Sequence, residues 1–560
     1  MIIYYCKYSM FVLQYADVTL KIRISYNMNK YRSHYIKNLL IPCLVFSIIT
    51  GVVSSLFVIA FKIASSYVVE LSERLYEKVQ HEPRFLPLLI AGALLMGFIA
   101  SLIITFSHSC RGGGIPTSIA AIRGIVNFNW VKSIFFLPIS ALITFLVGVP
   151  LGTEGPCVQM GTAIGDGVIQ VVGRKKHRGW RRYMMVGGAA SGFALATGSP
   201  ITAVMFSMEE LHKTFSPLLF SVVSVSVIVS QLMSHLLAAF GMESATLFET
   251  SLLPTLPLNL IYIPIIIGLL CGVCSILFIK LYNLVDIFLR KKLKSLSVKI
   301  KLPVIFAFVS LVGFFFSKIL GSGHHLIEHL IGEHRLETEN FWYLLISFFI
   351  IRAIFMMVSN TAGVTGGIFL PTLAFGAILG TICAELFISL NFISEEYYAL
   401  LVVIGMVSFL GASMRIPVTA CLFAFESLGG FNNILLLTAA VTAAFIMVEV
   451  SGLSDFTSTV IKSKAHAIHK GKMPHVIEVP LTVYKGSFVI DKDIRDILWP
   501  ASCTMLSIER GPNKTNKIGI AEGDILTVHY TTYDPVATAN EFEVLVGDQC
   551  EEIDKIMRLE

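Results

Sequence analysis

Long apolar runs dominate this chain and set its architecture. Stretches long enough to cross about 30 Å of hydrocarbon lie near residues 39–69, 86–106, 131–149, 215–239, 260–289, 303–320, 342–358 and 432–448. Between them fall shorter apolar pieces near 157–171, 184–197, 200–211, 370–389, 397–411 and 417–428, many of them too short to span alone. A half-length helix in a bilayer must be buried in protein or line an aqueous cavity, because lipid cannot satisfy the N–H and C=O groups at its ends. The pattern predicts an all-α polytopic membrane protein with broken helices, and the short pieces are candidates for its working site. After about Ser463 charges return, apolar runs shorten, and period-2 alternation appears in 476–484 and 525–530. A small α+β domain is expected there: a strand, a turn at Gly486, a short helix near Asp493–Leu498, a strand at Thr504–Glu509, a Lys- and Asn-rich loop, and two strands ending at Gly547. The expected parts are an N-terminal segment (1–34), a membrane unit (35–462, halves 35–240 and 258–462) and a C-terminal domain (463–560).

The two halves echo one another. GTEGPCVQMGTAIG (152–165) and GIFLPTLAFGAILG (367–380) share the template G-x3-P-x4-G-x3-G. PITAVMFSMEEL from Pro200 and PVTACLFAFESL from Pro417 agree at Pro, Thr, Ala, Phe, Glu and Leu at nearly the same offset. A weaker echo relates Gly112–Gly114 to the GSG at 321–323. Glycine and proline interruptions at matching places in two apolar halves point to a transporter whose site lies near the bilayer midplane.

Composition sharpens this picture. With 55% hydrophobic and 14% charged residues and a mean hydropathy of +0.75, so few charges cannot cover the surface of a soluble globule. The net charge of +6 matters less than its placement in four basic clusters: Lys21–Lys37, Arg174–Arg182, Arg290–Lys301 and Lys462–Lys472. The positive-inside tendency puts them, and both termini, in the cytoplasm. Cys271 and Cys274 form a C-x2-C inside an apolar helix with no second pair, and read as small fillers. The first 27 residues lack the pattern of a cleavable signal, and Met28 is an alternative start.

The chemistry lies in three glycine-led helix starts. In GTEGP, Gly152 and Gly155 let backbone N–H groups face a guest closely, Pro156 suits a first helical turn, and the helix aims its positive dipole end at the guest. Gly112, Gly113, Gly114, Ile115 and Pro116 have the same form, and Gly366 to Pro371 supply a third. Three such tips can hold an anion by partial charges, weakly enough to release it.

GGGIP, GTEGP and GGIFLP occur in the order and spacing of the anion-site motifs of the CLC family of chloride channels and chloride/proton exchangers, which residues 35–462 resemble. The resemblance implies two inverted helical halves, a homodimer with a separate pathway in each subunit, and chloride, protons and membrane lipid as partners. It implies neither cofactor nor catalysis, and no nucleic acid. The carried-over anion site comprises Gly112–Pro116, Gly152, Gly155, Pro156, Gly367, Ile368, Phe369 and Phe456. Glu154 matches the gating glutamate: a carboxylate in apolar sequence is costly, and between helix tips it occupies an anion's place when ionised and leaves it when protonated. Glu210 matches the internal glutamate that relays protons in exchangers, and Glu426, counterpart of Glu209, reads as structural.

Some positions depart from the family pattern. Gly113 stands where a serine is usual, Phe456 where a tyrosine is usual, and Thr153 where a lysine or arginine is usual. Two hydroxyl donors and some local positive potential are therefore expected to be missing. Retention of Glu154 and Glu210 favours exchange; a passive channel of the same fold is the alternative. The C-terminal domain resembles that of TrkA/RCK-type regulators at Gly486, Ser487, Phe488, Ile490, Ile494–Ile497, Arg510, Gly511, Gly523, Asp524 and Leu526. The lack of paired CBS modules points to a bacterial source and a cytoplasmic membrane. A remote alternative is a zinc enzyme, since His325, Glu328 and His329 spell H-x-x-E-H, with His324, Glu333 and His334 nearby. Its place after the GSG favours a short membrane-face helix with solvated polar residues.

Overall fold

The computed structural model describes residues 40–560 except 113, 127, 174, 243–246, 249–252, 293–295, 333–340, 470–473, 501–502, 512–518, 548–552 and 554–560. The N-terminal segment, the basic cluster 21–37, Gly113, Glu333 and His334 thus lie outside the described residues. The first half contains α1 (Ile41–His81), α2 (Leu86–Phe106), α3 (Ile115–Ile122), α4 (Trp130–Leu146), α5 (Glu154–Val171), α6 (Arg181–Thr197), α7 (Pro200–Phe206) and α8 (Pro217–Ala239). The second contains α9 (Tyr262–Lys292), α10 (Val298–Phe315), α11 (His324–Ile331), α12 (Phe341–Ala362), α13 (Phe369–Ser389), α14 (Tyr398–Met414), α15 (Pro417–Ser427) and α16 (Ile434–Val450), followed by α17 (Phe456–Ile468).

The packing repeats with the sequence. α5 lies against α6 as α13 lies against α14, and α1 against α8 as α9 against α16. The later glycines of the repeated template make these contacts: a Cβ on Gly161 would sit 2.0 Å from the Gly188 carbonyl oxygen, and one on Gly376 would sit 2.6 Å from that of Gly405. Those glycines serve backbone-to-backbone packing, a role distinct from that of the glycines at the helix tips. The halves interlock where α2 packs on α10 and α7 on α15.

Among the described residues nine helices are long and apolar enough to cross a membrane. Two of them fall on the shorter apolar pieces 370–389 and 397–411, yet are long enough to span: Phe369–Ser389 (21 residues) and Glu395–Met414 (20 residues, a 3-10 turn followed by α14). Conversely 131–149, expected to span, forms the 17-residue helix α4, ended by the turn at Gly148. Proline starts explain several boundaries, with Pro42, Pro116, Pro200, Pro217 and Pro417 in first turns.

The C-terminal unit has its own core around Leu481, Val489, Leu526, Val528, Tyr530 and Phe542. β1 (His475–Thr482), β2 (Thr504–Glu509) and β3 (Ile525–Thr532) form an antiparallel sheet of order β1-β3-β2. The last expected strand is instead a helix, α18 (Pro535–Val546). Asp534 caps it by accepting the Ala537 N–H at 2.9 Å, Pro535 fits its first turn, and Ala539, Phe542 and Val546 recur at helical spacing on its buried face.

This unit docks on the loop before α6. The Phe488 ring lies over Gly179 and meets the Trp180 ring edge-on at 5.5 Å. Arg182 pairs with Glu541 and donates to the Leu498 carbonyl at 3.1 Å, while Ser216 Oγ donates to Asp496 Oδ1 at 2.9 Å. Lys492 is buried at this junction, with its ammonium over the Phe488 ring at 3.2 Å. Burial lowers its pKa to about 7, against the opposing pull of Asp491 and Asp496. The unfolded chain, with an ordinary lysine pKa near 10.5, therefore binds more protons than the folded one between pH 7 and 10.5. Stability contributed by this site must rise with pH across that window, and the cost of the charge is greatest below pH 7. Lys492→Met should raise the melting temperature at pH 6.5–7 by roughly 2–4 °C and flatten its rise toward pH 10. A variant that melts in parallel with the parent at every pH removes Lys492 from this role.

Candidate functional site

The three glycine-led tips meet at one place. Gly152 and Gly367, leading α5 and α13, form a two-bond antiparallel bridge, with N–H···O distances of 2.8 and 2.7 Å. A Cβ on Gly155 would lie 2.5 Å from the Gly367 Cα and 3.0 Å from the Gly114 Cα, so the backbones of all three motifs are in contact. Gly114 has φ +116°, a conformation open chiefly to glycine. Its N–H donates to Gln159 Oε1 at 2.7 Å, and Gln159 Nε2 donates to the Ser109 carbonyl at 2.6 Å, fastening the first tip to α5. Gly112 N–H donates to the Gly363 carbonyl at 2.8 Å. Ile115, Pro116, Pro156, Ile368 and Phe369 are all buried around the junction. Gly155→Ala forces a side chain between two backbones, and overpacking of this kind should destabilise by about 3 kcal/mol. The expected readout is a lower melting temperature with loss of flux; full activity at an unchanged melting temperature would contradict the geometry.

Glu154 is the first residue of α5 and is wholly buried. Its Oε1 accepts a long 3.4 Å bond from Thr153 Oγ1, and its Oε2 has no hydrogen-bond partner among the described residues. The side chain folds back over Gly152, where a Cβ would collide with Oε2. A helix N-terminus carries about half a positive charge, and the carboxylate sits on it as an anion would.

Beside this tip the Phe369 ring meets the Phe193 ring edge-on at 5.1 Å, and Phe193 stacks on Phe206 at 4.4 Å. This apolar column runs from the Glu154 tip to the segment carrying the second glutamate. Ser207–His212 is a π-turn, a local widening frequent at functional sites. It points Glu210 inward, fully buried, with neither carboxylate oxygen hydrogen-bonded among the described residues. Lys213, just after the turn, pairs with Asp455 at 2.7 Å, tying the turn to the start of α17.

The adjacent Glu209 turns the other way. Its oxygens accept the N–H groups of Val418 (3.1 Å) and Thr419 (2.8 Å) and the Thr419 hydroxyl (2.7 Å), capping α15. Glu426 does the same for α7, accepting from Ile201 N (2.9 Å), Thr202 N (2.8 Å) and Thr202 Oγ1 (2.7 Å). Each half thus caps a broken helix of the other, which gives Glu426 its structural role.

Phe456 opens α17, fully buried, its ring 5.2 Å from Phe278 and 5.1 Å from Tyr282. Two lysines at the site, Lys464 buried and Lys62 partly buried, escaped sequence reasoning. Lys464 donates to the Gly112 carbonyl at 3.1 Å and to Thr117 Oγ1, bracing the first motif. Lys62, in α1, donates to the Leu195 carbonyl at 3.0 Å, and its charge acts on Glu154. It supplies positive potential that Thr153 cannot. A lone lysine within the apolar run 39–69 was the available signal.

The H-x-x-E-H reading does not survive in its sequence form. Glu328 faces His324 and His325, and the metal-competent group is His324, His325 and Glu328, without His329. α11 is a short amphipathic helix with Leu326, Ile327 and Leu330 buried, and although His329 lies one helical turn on from His325, its ring is not among the ligand atoms gathered within 4.8 Å of one another.

Broken helices meeting at a buried carboxylate in a multi-pass membrane protein define an ion-transport class. The family model described as voltage gated chloride channel matches residues 92–449, and the chain belongs to that family. Among curated proteins it is similar to the H(+)/Cl(-) exchange transporter ClcA of Vibrio vulnificus (strain YJ016), 29% identical over 430 residues, 74% of this chain and 87% of the relative. It is also similar to ClcA of Klebsiella pneumoniae (strain 342), 27% identical over 377 residues, 67% and 78% of the two chains. The fold is shared with a slow cyanobacterial Cl-/H+ antiporter (TM-score 0.67, 21% identity, 76% of this chain and 98% of that one). A CLC-type fluoride/proton antiporter also shares it (TM-score 0.61, 18% identity, 75% and 98%).

Proposed function

We propose that this protein exchanges chloride for protons across the cytoplasmic membrane of a bacterium, as a homodimer with both termini in the cytoplasm. The convergence of three helix tips on the buried Glu154 carries the reading. Chloride is held by the backbone N–H groups of Ile368 and Phe369 and by the dipoles of α3, α5 and α13, with Gly112, Gly114, Ile115, Pro116, Gly152, Gly155, Pro156, Gly367 and Phe456 lining its place. Glu154 takes that place when ionised and vacates it when protonated. Glu210 passes protons between Glu154 and the cytoplasm, past the apolar column of Phe369, Phe193 and Phe206. The H(+)/Cl(-) exchange activity of the ClcA relatives supports this assignment. The C-terminal unit, docked beside the π-turn that carries Glu210, is suited to a TrkA-C-like regulatory role.

Purified protein in liposomes tests the reading. An outward chloride gradient should drive proton uptake against its own gradient, with a fixed ratio of the two ions. Chloride movement that never displaces protons would leave a passive channel of the same fold.

A further inference from the structure

The membrane face opposite the C-terminal unit carries a second constellation that chloride/proton exchange does not use. α1 starts beside the docking loop, with the Phe46 ring 5.2 Å from that of His177, and its 41 residues carry it about 60 Å toward the other face. Near its far end Glu73 Oε1 meets His325 Nε2 at 2.9 Å. On α11, Glu328 Oε2 lies 3.3 Å from His324 Nδ1 and 3.4 Å from His325 Nδ1. The remaining nitrogen of His324, Nε2, meets the Leu247 carbonyl, and the ring stacks on Phe248 at 5.4 Å.

The hydrogen-bond chemistry places a proton on each Nε2. A carbonyl and a carboxylate only accept, so each Nε2 carries the proton and donates it. Each Nδ1 then faces the same Glu328 oxygen, so either a ring proton or a metal cation must stand between them, and a single divalent ion serves both rings at once. The spacing suits one: metal–ligand bonds of about 2.0–2.1 Å at tetrahedral angles separate neighbouring ligands by about 3.3 Å. One ligand atom from each of His324, His325 and Glu328 lies within 4.8 Å of the others. The outer bonds match as well, since a metal-binding histidine characteristically donates its second N–H to a carbonyl or carboxylate, which orients the ring.

We propose that His324, His325 and Glu328 bind a divalent transition-metal ion of the zinc class, with the Leu247 carbonyl and Glu73 as outer-shell acceptors. Imidazole nitrogens select such ions over magnesium or calcium. Three protein ligands leave a position for water, and the half-exposed setting suits a reversible regulatory ion. Because α11 packs against α13 and α14, the ion fastens the far end of α1 to helices of the second half.

Full-length protein without a polyhistidine tag should take up one Zn²⁺ per chain at pH 7.5, measured by competition with a chromophoric chelator, and excess Mg²⁺ or Ca²⁺ should not displace it. Zinc should raise the melting temperature of the parent but not of the H324A/H325A variant, whose zinc affinity should fall at least 100-fold while chloride flux persists. E73Q should weaken binding by about tenfold, the effect of losing an outer-shell partner. Absence of zinc uptake by the parent, or undiminished affinity in the double variant, overturns the assignment.

Discussion

Glu154→Gln is expected to abolish uphill proton transport while chloride continues to flow. The amide keeps the shape of the side chain but carries no negative charge and accepts no transported proton, so both halves of the exchange cycle at this residue disappear. Coupled proton uptake in liposomes should fall more than tenfold, to the level of empty vesicles, and chloride flux should lose its dependence on pH. The expectation rests on position: the carboxylate is buried, its Oε2 lacks a hydrogen-bond partner among the described residues, and it lies on the N-terminus of α5 where Gly114, Gly155 and Gly367 meet. Burial of a carboxylate is costly, and the helix-tip N–H groups and Lys62 that offset that cost here would serve a mobile anion equally when the side chain leaves. Undiminished proton pumping by the glutamine variant would remove Glu154 from the mechanism.

The second large effect separates neighbouring glutamates. Glu210→Gln should suppress proton-coupled uptake at least tenfold and leave the melting temperature unchanged, because no hydrogen bond made by its carboxylate among the described residues is lost. Glu209→Ala should do the reverse. It removes three bonds to the N-terminus of α15 and leaves two backbone N–H groups without that acceptor, at a cost of about 2–3 kcal/mol. Glu426→Ala should match it through the start of α7, given the equivalent bonds there. Proton-flux and melting measurements on the three variants form a single comparison. A Glu210 variant that loses stability and keeps coupling, or a Glu209 variant with the opposite behaviour, would exchange the roles assigned here.

The repeat was legible because the same backbone requirements recur in both halves. A helix that begins inside a bilayer needs glycine for close approach and proline for its first turn, and helices that touch along their backbones need glycine at four-residue spacing. Those constraints are local and leave residue-level marks, so the helix starts at Ile115, Glu154, Phe369, Pro200 and Pro417 could be read, with Glu154 at one of them, whereas Glu210, in the π-turn after α7, was singled out only by the family resemblance. Helix length was less legible. α13 matches the apolar piece 370–389 almost residue for residue, and α14 reaches spanning length only because the turn Glu395–Tyr397 precedes it, a polar start that the apolar run does not mark. The strand expected before Gly547 failed for a related reason: a short apolar stretch fits either period, and the Asp534 cap with Pro535 decides for helix.

The sequence by itself determined a two-part apolar repeat, a set of glycine-led helix tips and a carboxylate placed among them, because each depends on the types and spacing of a few neighbouring residues. The tertiary structure decided what depends on distant parts of the chain. The Gly152–Gly367 bridge, the exchange of Glu209 and Glu426 as caps between the halves, the delivery of Lys62 and Lys464 to the site, and the meeting of Glu73 with α11 all join residues that are far apart in sequence. No local pattern encodes such pairings, since the partners are chosen by how whole helices pack.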